Sequence, residues 1–182
     1  MNSKTILLQL LSTINAFDDI EVAHLDDAIA WIKSGRSLYR TIKPNTPNKH
    51  LVSYFVVIDE IQQKILLTEH KRAQLWLPAG GHVEPNEHPT ETVKRECLEE
   101  LNLEAEFKYL NPIFITLNDV GHDNHLHFDV NLWYVLKGVA DTQYQFDDRE
   151  FHSIKWFNFD EIPFLKADPH LSRFINKYLT LL

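Results

Sequence analysis

Apolar residues recur at helical spacing twice near the start of the chain: Ile6, Leu7, Leu10, Leu11 and Ile14, then Val22, Leu25, Ala28, Ile29 and Ile32, the second set closed by Gly35. A period near 3.6 predicts two amphipathic helices, so residues 1–40 are expected to form an N-terminal helical extension. The segment 41–49, TIKPNTPNK, holds two prolines and two asparagines and is expected to link the extension to a main domain over residues 50–182. There the pattern changes. HLVSYFVVID and KILLTEH are β-branched apolar runs separated by a polar stretch, which predicts a hairpin. A loop with two glycines follows, then a helix over 89–101, and strands are expected near 104–109, 113–117, 125–136 and 154–158. DPHLSRFINKYLTLL closes the chain as an amphipathic helix, with Asp168 as its cap and Pro169 in its first turn. Strands interleaved with few helices predict an α/β fold, a mixed β-sheet packed between helices.

Composition narrows the function. A chain of 182 residues, 44% hydrophobic and 12% aromatic, is long and apolar enough to bury a core. Its net charge of −8 argues against a nucleic-acid polymer or an anionic membrane as partner. The lone cysteine, Cys97, excludes an internal disulfide and a cysteine-based zinc cluster, and a cytoplasmic location is expected. No apolar run approaches the roughly 18 residues of a membrane span. The opening MNSKTILLQLLSTINAF lacks a small-residue cleavage pattern and is expected to be a helix of the mature protein.

The stretch GGHVEPNEHPTETVKRECLEELNL raises the sharpest question. At 100° per residue, Val93, Cys97 and Leu101 form one apolar stripe. Glu96, Glu99 and Glu100, at i, i+3 and i+4, place their carboxylates on the neighbouring edge. Like charges so spaced cost roughly 0.2 to 0.5 kcal/mol per pair, and the last helical turn disfavours each anion by roughly another 0.3 to 1 kcal/mol. A solvated acidic face is the commonplace explanation of a charge run, yet it gives no reason to crowd carboxylates at the unfavourable end. A bound Mg²⁺ or Mn²⁺ does, because hard cations need clustered oxygen donors.

Here the residues resemble a known family. Gly81, Glu87, Arg95-Glu96-Cys97, Glu99-Glu100 and Leu103 follow the pattern of the Nudix hydrolases, G-x(5)-E-x(7)-R-E-U-x-E-E-x-G-U with U aliphatic. Asn102 stands where the family has glycine, and Cys97 where a larger aliphatic residue is usual. Asparagine is the next best residue for a left-handed helix end, so the turn is expected to survive. LWLPAGGHVE before the motif, and LWYVLKG and IKWFNFDEIP after it, look like strands of the same domain.

The resemblance implies a Nudix-type α/β/α sandwich with the motif as loop–helix–loop. It implies hydrolysis of a nucleoside diphosphate linked to another moiety, or of a nucleoside triphosphate, with Mg²⁺ or Mn²⁺ as cofactor. Position by position, Glu96, Glu99 and Glu100 match the metal-binding glutamates, and Gly80 matches the backbone carbonyl that completes the shell. Arg95 looks like the residue that pairs with Glu87 and orients the glutamates. The general base is Glu96 or Glu99, with Asp147, Asp148 and Glu150 as alternatives in a later loop. Two readings compete within the same fold: a phosphohydrolase of a non-nucleotide diphosphate, and a ligand-sensing domain without catalysis. Isoprenoid diphosphate isomerase chemistry is a third rival, but it needs a cysteine outside the helix, and Cys97 is on the packed stripe.

Lys71 or Arg72, just before the motif, is a candidate cation for the substrate phosphates, although an exposed hairpin end rich in Lys and Arg is the commoner reading. Trp76 is a candidate to stack a base, against the commoner role of core packing. GHDNHLHFDVNLWY offers His122, His125, His127 and Asp129. His125, His127 and Asp129 share one face of a strand. His127 and Asp129 are candidates to bind the leaving moiety, although a partly solvated strand explains them equally simply. A His–His–carboxylate metal site is the alternative, but zinc draws its ligands from more than one element. Trp133, Tyr134, Trp156 and Phe157 are expected in the core. The N-terminal helices are expected to bury their stripes on the domain, to cap the active site or to make a homodimer contact.

Overall fold

The computed structural model describes residues 3–42, 46–120 and 127–182. The two N-terminal helices are present as α1 (Ser3–Ser12) and α2 (Asp19–Lys33). Asp18 caps α2, its side chain accepting the Glu21 N–H, and Gly35 follows the last turn at φ 82°. The predicted hairpin is β1 (Lys49–Asp59) and β2 (Lys64–His70). The glycine-bearing stretch, expected as loop, holds two short strands, β3 (Leu75–Leu77) and β4 (Ala79–His82). Both are too short to show a period, so pairing to β2 and β1 defines them rather than propensity.

Helix α3 spans Pro89–Leu101 as expected. Pro89 occupies its first turn, and Asn102 ends it in the left-handed region at φ 48°, ψ 39°, filling the role of the missing glycine. Then come β5 (Phe114–Asp119), β6 (Phe128–Lys137), β7 (Phe151–Asn158) and α4 (Leu171–Leu179).

Three expectations need correction. The segment 104–109 is not a strand but a single bridge, Phe107 to Leu136. β5 already occupies that edge of β6 up to Trp133, which leaves room for little else. Strand β7 starts at Phe151, ahead of the apolar run that revealed it. The cap of α4 is His170 rather than Asp168, whose carboxylate accepts the His170 N–H (2.8 Å) and the Asn118 amide (3.0 Å). His122 and His125 lie outside the described residues.

The seven strands form one mixed sheet; five follow the order β3-β2-β1-β6-β5, while β4 pairs with β1 and β7 with β2 off that path. Along one edge, β1 pairs antiparallel with both β4 and β2; along the other it runs parallel to β6. The α3 stripe, Val93, Cys97 and Leu101, packs with α1 and α2 against one face, together with Leu51 and Phe55. Leu171, Phe174, Ile175 and Tyr178 of α4 cover the other face, with Trp133 and Phe157. Tyr134 is fully buried, and Trp156 packs half-buried against the first core.

α2 also reaches the exposed edge of the sheet. The buried Glu21 carboxylate accepts the Ile115 N–H of β5 (3.2 Å), the Phe17 N–H (2.7 Å) and the Lys177 ammonium of α4 (2.8 Å). A charged helix side chain thus covers backbone that an edge strand would otherwise leave open to pairing. Among the described residues no helix is long and apolar enough to cross a membrane.

Candidate active site

Strand β4 and helix α3 face each other across the motif loop, and the wall between them opens into a cleft of about 570 Å³. Gly80, Gly81, Arg95, Glu96, Glu99 and Glu100 all line it. Two glycines are required there for separate reasons. Gly80 has φ 144°, and a Cβ on it would run into the Ser53 carbonyl of β1. Gly81 is conformationally ordinary, but a Cβ on it would overlap the Glu96 carboxylate.

Arg95 organises the acidic edge. Its Nε and Nη2 grip Glu87 (3.0 and 3.2 Å), Nη2 also donates to the His82 carbonyl (3.2 Å), and Nη1 donates to Glu96 Oε1 (2.6 Å). Glu99 Oε2 lies 3.6 Å from the same Nη1. Glu87 further accepts the Thr92 hydroxyl and the Glu84 N–H. Burial pushes the Glu87 carboxyl up, but these hydrogen bonds outweigh it and hold the group below its ordinary range. Arg95 is therefore spent on orientation, with Glu87 as its anchor.

Glu100 is different. It is 6% exposed, and its carboxylate accepts the Gly80 N–H at Oε2 (2.8 Å). Burial, with the neighbouring Glu96, Glu150 and Glu99 charges, pushes its carboxyl well above the usual range. Burial likewise raises Glu96, in spite of Arg95. Burial and mutual repulsion thus disfavour the charged forms of Glu96 and Glu100.

The loop candidates separate. Glu150 lines the cleft opposite α3, and its backbone is tied down because its carbonyl accepts the Lys71 N–H (2.9 Å). Asp147 is held at about 2 by Arg149, which grips its carboxylate, and its N–H donates to the Glu100 carbonyl (2.9 Å), pinning the loop to the end of α3. The Lys71 ammonium donates to the Asp148 carbonyl rather than into the cleft.

Of the residues expected to touch the organic moiety, Asp129 lines the cleft. Arg72 projects from an exposed turn, its N–H bonded to His70. Trp76 packs edge-on against Phe157 (5.0 Å), a core contact. His127 turns towards His50 (3.0 Å) and Asp129 (3.0 Å). Burial lowers the His127 imidazole and takes His82 down to about 4. The inverse omission is Arg40, which brings a guanidinium to the cleft from a segment in which no sequence pattern singles it out. Cys97 is buried and its thiol is pushed up to about 12, which removes it as a nucleophile.

The Gly81 contact yields a prediction. Gly81→Ala moves a flexible carboxylate and no backbone, so unfolding free energy should change by less than about 1 kcal/mol, while activity falls by roughly 10- to 100-fold because Glu96 is displaced. Chemical denaturation beside a turnover assay measures both; full activity would mean that Glu96 need not sit over Gly81.

Comparison with known proteins agrees with this geometry. The NUDIX domain model matches residues 49–178, a span that starts with β1 and leaves out α1 and α2. A Bacillus subtilis (strain 168) protein provisionally named 8-oxo-dGTP diphosphatase is 29% identical over 129 residues, covering 68% of this chain and 76% of its own length. The solution structure of the E. coli ORF135 protein superposes with a TM-score of 0.56 at 20% identity, over 75% of this chain and 92% of that one. The E. coli dihydroneopterin triphosphate pyrophosphohydrolase gives 0.54 at 14% identity, over 78% and 99%. At such identities these two structures establish shared architecture alone. With the family match covering most of the chain and Glu96, Glu99 and Glu100 of its motif gathered on one cleft, the chain belongs to the Nudix family and is a Nudix-type hydrolase.

Proposed function

We propose that the protein is a divalent-cation-dependent pyrophosphohydrolase that cleaves the diphosphate linkage of a nucleoside triphosphate or a nucleoside diphosphate derivative by attack of water on phosphorus. The observation that carries this reading is Glu100, a carboxylate 6% exposed, crowded by other carboxylates and hydrogen-bonded by the Gly80 N–H. A buried anion so poorly compensated calls for a cation beside it. Glu96, Glu99 and Glu100, with the Gly80 carbonyl, would hold Mg²⁺ or Mn²⁺, since all offer hard oxygen. When bound, the ion offsets the charge of the diphosphate and polarises its phosphoryl oxygens.

The chain's own groups supply the rest. Arg95, anchored on Glu87, keeps Glu96 and Glu99 turned to the cleft. Glu150 joins Glu96 and Glu99 as a candidate base, its carboxylate taking the proton of the attacking water across the cleft. Arg40 meets the charge of the departing phosphate, and Asp129 the organic moiety. The name carried by the Bacillus subtilis relative favours nucleoside triphosphates, oxidised ones included.

A panel of nucleoside triphosphates, oxidised nucleotides, ADP-ribose, dinucleoside polyphosphates, CDP-alcohols and non-nucleotide diphosphates, assayed with Mg²⁺ and Mn²⁺, tests the proposal. One nucleotide class should dominate, with turnover abolished by chelator and restored by the ion. Preference for a non-nucleotide diphosphate would overturn the substrate assignment. Turnover that ignores chelator would overturn the cation.

A further inference from the structure

Strand register brings four side chains to one patch of the sheet that no motif connects. The parallel pairing sets His50 of β1 opposite Asp129 of β6, and the antiparallel pairing sets Val52 of β1 opposite His82 of β4. Side chains alternate along a strand, so His50 shares a face with Val52 and hence with His82, while His127 shares one with Asp129. The four residues therefore meet although they are spread from position 50 to position 129.

The distances are those of a coordination shell. His127 Nε2 lies 3.0 Å from both His50 Nδ1 and Asp129 Oδ1. Asp129 Oδ1 lies 3.7 Å from His82 Nε2 and 3.8 Å from His50 Nδ1. One donor atom from each residue falls within 4.8 Å of all the others. A tetrahedral Zn²⁺ with bonds of about 2.0–2.1 Å holds its donors about 3.3 Å apart, and the observed separations bracket that value.

The atoms that point inward also lack other partners. Among the described residues, His82 Nε2 and Asp129 Oδ1 are shielded from solvent, and neither has a hydrogen-bond partner outside the cluster. His50 is completely buried, with its Nδ1 directed at the cluster. Buried polar atoms are rarely left unsatisfied unless something absent from the chain itself pairs with them.

We propose that His50, His82, His127 and Asp129 form a second metal site, for a transition-metal dication of the Zn²⁺ class, which clips β1, β4 and β6 together beside the catalytic cleft. Imidazole nitrogen suits zinc, cobalt and nickel and is a poor donor to Mg²⁺, so this site and the all-oxygen glutamate edge select different ions. Four protein donors leave no open position, which makes the role structural. The element most affected is β4, four residues long and bearing both Gly80 and Gly81. An ion on His82, its last residue, would fix the strand whose backbone sets Glu100 and Glu96. The proposal is independent of the ion at the glutamates, and it shares Asp129 with the contact proposed for the organic moiety.

The test uses the full chain, stripped with chelator and titrated with Co²⁺ and then Zn²⁺. The expected result is one tetrahedral Co²⁺ per chain, recognised by intense visible absorption, displaced by Zn²⁺ but not by Mg²⁺, with Zn²⁺ raising the melting temperature. Asp129→Asn and, separately, His127→Gln should weaken Co²⁺ binding by more than the roughly 10- to 100-fold that loss of an outer partner costs. Glu99→Gln, a change at the other edge, should leave the Co²⁺ spectrum intact. Circular dichroism checks that each variant folds, and the parent titration stands by itself should either cluster variant fail. Absence of a tetrahedral spectrum in the parent would show a hydrogen-bonded imidazole cluster and overturn the proposal. So would a spectrum lost in Glu99→Gln but kept in both cluster variants, which would put the ion on the glutamates.

Discussion

Glu100→Gln should lower turnover by about a thousandfold while leaving the fold intact, because removing one anionic donor from the proposed cation site would forfeit several kcal/mol of transition-state stabilisation, at about 1.4 kcal/mol per decade. The change is nearly isosteric, and the glutamine carbonyl can still accept the Gly80 N–H. Stability carries a second, opposite expectation. Burial and the neighbouring carboxylates disfavour the charged form of Glu100, so in chelator the variant should melt no lower than the parent. Adding Mg²⁺ should then stabilise the parent more than the variant. Steady-state rates on the substrate found by screening, with thermal melts in chelator and in Mg²⁺, measure all three quantities. A variant turning over within a few-fold of the parent would remove Glu100 from the site. A parent with no turnover on any substrate would leave the protein a ligand-sensing domain.

Glu21→Ala should destabilise the protein by about 3 kcal/mol or more, the cost of stranding one charge of a buried pair. Lys177 is 4% exposed, and Glu21, with no exposure, also satisfies the N–H groups of Phe17 and Ile115. At roughly 3 °C per kcal/mol for a chain of this size, the melting temperature should fall by about 10 °C. The double variant Glu21→Leu, Lys177→Met should recover a large part of that loss, since two apolar groups bury without an unpaired charge. Equal losses in the single and double variants would show that the amide hydrogen bonds, not the ion pair, make Glu21 necessary. Because α2 precedes the matched domain in sequence but anchors both β5 and α4, the experiment also measures how far the helical extension is part of the domain's stability.

The acidic edge was legible because helical geometry is local. Glu96, Glu99 and Glu100 lie within five positions, and a period of 3.6 places them on one side whatever the rest of the chain does. The ends of α3 were equally legible, Pro89 and Asn102 each having a backbone preference that acts without neighbours. For Trp76 both stacking and core packing stood open for want of its neighbour: Phe157 lies 81 positions away, and nothing near Trp76 announces it. Arg40 escaped notice for the same reason.

Strand residues show the limit most clearly. Alternation predicted that His127 and Asp129 share a face, and register alone determined that His50 and His82 would join them. The strand expected at 104–109 failed because β5 had already taken the edge it needed, a competition between segments that no single segment records. Glu21 and Lys177, 156 positions apart, are ordinary helix residues until the fold buries them against each other.

What the amino-acid sequence by itself determined is the helix bearing the clustered glutamates, its caps, the alternation of the strands and the family to which the motif belongs. All of these follow from interactions spanning a few residues. The tertiary structure alone decided which residues complete the cleft, how deeply Glu100 is buried, and which histidines gather around Asp129. Those depend on strand order and packing, where the energy lies in contacts between segments far apart along the chain and leaves no local period to read.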